Sequence, residues 1–252
     1  MERIKTGIDG LDQALGGGIP KGNVVLVSGS AGTGKTLVSL SFIYYGATKF
    51  KEPGIYISTD QTPEEIRMQA QSFGWDLKSL EKKKLLSIYH IDITEEKDMR
   101  YLKDLDKIVK KIKAKRVVLD SLTTITEFLT PTEISKQSRI FDVLEKITPV
   151  PMSEAMVSKA VLAKVIKHLK NTGCTSIVTS EMPEEGNWLS RDTVSEFLTD
   201  GVIILKSFKY SRGDVDLIVA KLRYGNHSKD IQKIRITDKG VEVKPAEKGV
   251  VI

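Results

Sequence analysis

One run, Gly29-Ser30-Ala31-Gly32-Thr33-Gly34-Lys35-Thr36, constrains the chain more than any other. It follows the β-branched stretch Val24 to Ser28 and precedes an apolar helical pattern that starts at Leu37, so a buried strand turns through glycines into a helix. Glycines let the backbone curl until successive N–H groups face one anion, at the positive end of the following helix. The run therefore predicts a phosphate-binding loop for a nucleoside triphosphate, with ATP as the expected ligand, and Leu37 closes the binding stretch. Lys35 has the reach to place its ammonium on the β- and γ-phosphates, which makes it a catalytic candidate. Thr36 offers a hydroxyl to Mg²⁺, the metal that bridges those phosphates.

Four more runs are near-continuously apolar, as strands buried on both faces are: Ile55 to Thr59, Arg116 to Asp120, Ser176 to Ser180 and Gly201 to Leu205. Helical patterns lie between them. Leu102, Leu105, Ile108, Val109 and Ile112 share one face, as do Val161, Leu162, Val165, Ile166 and Leu169, and the lysines from Lys103 to Lys115 then form a solvated side. Asn171-Thr172-Gly173 reads as a helix stop. This alternation predicts an α/β fold with a mostly parallel twisted sheet and helices on both faces. After Leu205 the pattern changes to alternating strands at Asp216 to Arg223, Ile231 to Ile236 and Val241 to Lys244, an antiparallel extension. Asp120 ends its strand at the edge where nucleotide lies in such sheets, and is the second metal candidate. Ser121 either assists it or caps the next helix.

At 252 residues the chain is expected to form one domain, 1–252, with an excursion over about 128–159 that carries Pro131, Pro149, Pro151 and a helical segment near Ser138 to Lys146. That excursion packs on its own protein or recruits a partner. No run approaches the ~20 apolar residues that span a bilayer, and Met1 to Gly10 lacks a signal peptide's apolar core, so a cytoplasmic location is expected. The lone cysteine, Cys174, reads as a small buried residue. A formal charge of +6 permits contact with nucleic acid without requiring it.

Further motifs carry a resemblance. Thr6-Gly7-Ile8-Asp9-Gly10-Leu11-Asp12, Gly16-Gly17-Gly18-Ile19-Pro20-Lys21-Gly22, Phe73-Gly74-Trp75-Asp76-Leu77 and Lys221-Leu222-Arg223 stand in the order of the KaiC-like branch of the RecA superfamily, which the chain resembles over nearly its whole length. The resemblance implies a RecA-type core assembled as a ring, usually a hexamer, with ATP between adjacent subunits. It also implies that Lys221, Leu222, Arg223 and His227 reach the neighbour's nucleotide, with Lys221 and Arg223 catalytic. Thr237 and Asp238 would sit near its base or ribose, and Ser72 matches another nucleotide-contacting position. On spacing alone, Lys221 and Arg223 equally fit an exposed strand face. Of the remaining histidines, His90 and His168 are expected to be surface or structural residues without evident partners.

One departure bears on chemistry. The family commonly has two glutamates where this chain has Asp60-Gln61. Asp60 keeps the carboxylate that would orient or deprotonate the attacking water, on an arm one methylene shorter, and Gln61 cannot act as a base. An ATPase is the favoured reading. The alternatives are an ATP-dependent sensor or scaffold without turnover, an autokinase using Ser195 or Thr199, and a recombination mediator. The acidic run Glu181-Met182-Pro183-Glu184-Glu185 speaks against the last.

Overall fold

The computed structural model describes residues 1–93, 100–128, 154–183, 189–207 and 215–245. A two-stranded antiparallel pair, β1 (Arg3–Ile4) and β2 (Ile19–Pro20), flanks the short helix α1 (Leu11–Ala14). The main elements then follow: β3 (Val24–Gly29), α2 (Lys35–Lys49), β4 (Gly54–Ser58), α3 (Pro63–Gln71), α4 (Leu77–Lys82), β5 (Leu86–His90), α5 (Arg100–Ile112), β6 (Arg116–Asp120) and α6 (Leu122–Phe128). The remainder comprises α7 (Glu154–Asn171), β7 (Thr175–Glu181), α8 (Ser195–Leu198), β8 (Gly201–Ser207), β9 (Val215–Leu222), β10 (Gln232–Thr237) and β11 (Gly240–Pro245).

Nine strands form one sheet in the order β11-β10-β9-β8-β3-β7-β6-β4-β5. From β8 to β5 every pairing is parallel, and β9, β10 and β11 extend the sheet by antiparallel pairing. The expected α/β class and its antiparallel tail are therefore present. Central β3 explains the apolar runs: Val25 and Val27 enter the core on one face, Val24 and Leu26 the core on the other, all at 0% exposure. Only a strand covered on both faces can use apolar residues at every position.

Local chemistry sets the helix ends. Thr62 and Glu65 form a capping box on α3, with Pro63 in its first turn. After α7, Gly173 takes a φ of +71°, the left-handed stop expected there. Lys107, Lys110, Lys111, Lys113 and Lys115 are exposed while Leu105 is buried, so the described part of that lysine run is indeed a solvated side.

Three readings need amendment. Edge strand β5 has no counterpart in the sequence reading, because only Leu86 and Ile88 of its residues are buried and Tyr89 and His90 point to solvent. His168 has a partner: its Nε2 lies 3.1 Å from Asp106 Oδ1, joining α7 to α5. Within the expected excursion, residues from Glu154 onward belong to α7, while the segment Ser138 to Lys146 lies outside the described residues.

Candidate nucleotide site

The glycine-rich loop leaves the carboxyl end of β3, between β7 and β8, where Gly29 pairs with Glu181 on one side and Leu205 on the other. A Cβ at Gly29 would lie 2.5 Å from the Leu205 carbonyl oxygen and 2.6 Å from Thr33 Oγ1, so only glycine fits. Gly34 caps α2 with a φ of +91°, a left-handed conformation that β-carbons disfavour. Buried Thr33 donates through Oγ1 to the Ser30 carbonyl at 2.8 Å and braces the turn, while Ala31 and Gly32 face solvent. Lys35 Nζ folds back to donate to the carbonyls of Gly29 at 2.8 Å and Ser30 at 3.0 Å. Burial lowers its pKa from the ordinary amine value, and the charges of Glu181, Asp120 and Asp60 oppose that shift. One ammonium thus faces three carboxylates from three strand ends. Thr36 is half-buried in the first turn of α2, and Leu37 is buried beneath it.

Asp120 ends β6 and is 7% exposed. Its Oδ2 accepts from the hydroxyl of fully buried Tyr56 at 2.7 Å, and its Oδ1 from Thr179 Oγ1 at 2.5 Å. This grip pushes the Tyr56 phenol well above its usual range, first through burial and then through the carboxylate beside it. Asp60 follows β4, whose Ser58 is in register with Asp120. Ser58 Oγ accepts from the backbone N–H of Asp60 and Gln61 and so shapes the turn. Three hydroxyls then hold the Asp60 carboxylate: Thr124 at 2.5 Å and Thr59 at 3.3 Å on Oδ1, and Ser121 at 3.3 Å on Oδ2. Ser121 also accepts from Thr124 N–H at the start of α6, so it both caps that helix and touches the acid.

Several of these groups escape a reading along the sequence. Tyr56 and Thr179 look like ordinary strand residues, and Thr124 like a helix residue, until β4, β6 and β7 stand side by side. In the sequence Glu181 reads only as part of an acidic segment, yet it is the first of the charges acting on Lys35. Its N–H donates to Thr123 Oγ1 at 2.9 Å, and Arg191 ties its carboxylate to that of Glu127.

The other candidates divide between the two ends of the sheet. β9 runs antiparallel to β8, with Lys221 opposite Val202 and Leu222 opposite Gly201. Lys221, Leu222 and Arg223 therefore stand at the amino end of the parallel strands, away from the loop of the same chain, and half-buried His227 follows on the next turn. There Lys170 and Arg223 share Oδ1 of Asp200 at 2.8 and 3.4 Å. Lys221 Nζ donates to the carbonyls of Glu196 at 2.8 Å and Thr199 at 2.6 Å, the unpaired oxygens at the end of α8. Burial lowers the Lys221 pKa, helped by the Arg223 charge. Thr237 and exposed Asp238, by contrast, form the β10–β11 turn on the loop side, where Ile236 reaches within 3.7 Å of the place a Gly34 Cβ would take. Ser72 caps the far end of α3, about 15 Å along the helix from Thr62.

The KaiC ATPase family model matches residues 4–148 and 131–248. The circadian clock oscillator protein KaiC of Synechococcus elongatus is 31% identical over 97% of this chain and 44% of its own length, so the chain spans less than half of that relative. UPF0273 proteins match nearly end to end: that of Thermotoga maritima at 30% identity over 99% of this chain and 98% of its own, and one from Pyrococcus horikoshii at 32% over 96% and 94%. Among solved structures, a KaiC-like protein from the hyperthermophilic archaeon Pyrococcus horikoshii superposes with a TM-score of 0.79 at 31% identity, covering 97% of this chain and 99% of that one. A glycine loop that only glycine can build, acids gathered on its lysine and these matches lead to one conclusion: the chain belongs to the KaiC family of ATP-binding P-loop ATPase domains.

Proposed function

We propose that residues 1–252 form one KaiC-type domain that binds MgATP and hydrolyses it to ADP and phosphate at a site completed by a second copy of the chain, and that the hydrolysis is coupled to a conformational or regulatory change. The observation that carries this reading is the division of the charged groups. Lys35, Asp60 and Asp120 gather at the loop, whereas Lys221 and Arg223 lie at the opposite end of the same strands. Cations at that distance serve a phosphate only if a neighbouring copy presents its amino end to the loop, as in a ring such as a hexamer.

In this scheme the N–H groups from Gly29 to Leu37 and the Lys35 ammonium hold the phosphates. Lys35 exchanges its two carbonyl bonds for phosphate oxygens, a charge-assisted trade. Thr36 and Asp120 are the oxygen donors suited to Mg²⁺. Because both Asp120 oxygens already accept protein hydroxyls, that carboxylate suits orientation of a metal-bound water rather than direct ligation. When bound, the metal offsets charge on the phosphates. Asp60 orients the attacking water and takes its proton. Lys221 and Arg223 of the second copy stabilise charge that grows during transfer. Thr237 and Asp238 flank the base or ribose, and Ser72, Leu222 and His227 complete the nucleotide contacts.

A second reading, ATP binding without turnover by a sensor or scaffold, has one observation on its side: both oxygens of Asp60 already accept protein hydroxyls. Among the described residues no helix is long and apolar enough to cross a membrane; a cytoplasmic location is proposed under either reading. Phosphate release with MgATP, measured beside the mass in solution for the wild type, Lys35→Ala, Asp60→Asn and Arg223→Ala, decides between them. Turnover that falls in all three variants of a ring-sized species is the expected result. Tight ATP binding with no turnover would establish the sensor instead.

A further inference from the structure

Asp60 carries its carboxylate on a short arm at an exposed turn after β4, which raises the question of what places it. The answer lies on a different element. β4 and β6 are neighbours with Ser58 in register with Asp120, so the first turn of α6, which begins two residues after Asp120, stands over the turn that carries Asp60. From there Thr124 Oγ1 donates to Asp60 Oδ1 at 2.5 Å, and Thr59 Oγ1 donates to the same oxygen at 3.3 Å. Among the described residues, Oδ2 has only the 3.3 Å contact from Ser121.

The geometry points to Thr124 as a positioning residue that fixes Asp60 with Oδ1 turned to the protein and Oδ2 left for the attacking water. The inference rests on Asp60 being the carboxylate that handles that water. A threonine side chain on a helix is β-branched and confined to two main χ1 rotamers, so its hydroxyl defines the position of the oxygen it holds better than freely tumbling water does. At 2.5 Å the hydroxyl meets the short arm of Asp60 directly. A short acid and a close hydroxyl are matched parts. Ser121 adds to the match by capping α6 and thereby holding Thr124 in its turn. Placement near 1 Å is worth up to ~10² in rate, so one hydroxyl that sets it has a measurable effect.

The test is a mutant cycle read by phosphate release, with ATP affinity and melting temperature measured on every variant. Thr124→Val is expected to lower kcat about tenfold and leave ATP affinity within about twofold, since the hydroxyl acts on the water's base and not on the nucleotide. Thr124→Ser keeps the hydroxyl and is expected to recover most of the rate. In an Asp60→Ala background, Thr124→Val should add nothing further, because a residue acting through Asp60 has nothing left to place. The proposal is overturned if Thr124→Val turns over like the wild type, if Thr124→Ser is no better than valine, or if the valine loss recurs in full without Asp60. Should Asp60→Ala itself release phosphate at the wild-type rate, the role of Asp60 fails and takes that of Thr124 with it. A slow Asp60→Ala beside a fast Thr124→Val removes Thr124 alone.

Discussion

The two ends of the parallel strands solve opposite problems with the same residue types. At the amino end, Arg116 opens β6 with its side chain at 0% exposure, and its guanidinium bonds Glu52, the Phe42 carbonyl and the Lys5 carbonyl between the rings of Phe42 and Phe50. At the carboxyl end, Lys35 is only half-buried, and its bonds are to the backbone of the very loop it belongs to. Arg223 shares the amino end with Arg116 from four strands away and differs in character, since its side chain is 46% exposed and, among the described residues, makes one long contact to Asp200. A buried charge whose every nitrogen donates to the protein serves the architecture. A charge left partly open, or bonded to groups it can release, is available to a ligand.

Breaking the buried charge should have the largest effect. Arg116→Ala is expected to destabilise the fold by about 3–5 kcal/mol, because Glu52 and two carbonyls lose their partner. Urea unfolding checks it, and a loss below about 1 kcal/mol would mean that the amino end is not held by this charge. Lys35→Ala, at the open charge, should leave the melting temperature near wild type but cut phosphate release about 10²-fold. Equal losses of stability in the two variants would erase the contrast between the ends. Mixing sharpens it further. Lys35→Ala and Arg223→Ala each spoil a different half of a composite site, so an equal mixture should regain about a quarter of wild-type turnover if copies assort randomly. A mixture no more active than its components would show that each copy completes its own site. The smallest effect is expected at Cys174, which is 2% exposed at the amino end; burial raises its thiol pKa, so less thiolate forms at a given pH and a thiol reagent at pH 8 should label it only after unfolding. Labelling of the native chain at a free-thiol rate would mean that this end opens.

The parallel core is legible in the sequence because strands covered on both faces have no polar alternation to confuse them, and Val24 to Ser28 and Arg116 to Asp120 nearly give their own boundaries. Strand β5 is not, since an edge strand with two solvent-facing residues lacks that signature. The loop is legible for a related reason: its glycines and Lys35 act within eight consecutive residues. Thr124, Thr179, Tyr56 and Glu181 act across strands far apart in sequence, and no local pattern marks them. Lys221 is an intermediate case. Alternation on a strand suggests an exposed cation, whereas its ammonium is turned onto the carbonyls that end α8, a contact visible only once β9 lies beside β8.

The opposition of loop and cations across one sheet also gives the chain a direction. If the two ends meet head to tail between copies, each copy presents a head to one neighbour and a tail to the other. An open head-to-tail dimer would contain one finished site and one of each unfinished half. Only closure into a ring leaves no halves over, and the yield of working sites per chain would then climb with protein concentration until the last gap is filled.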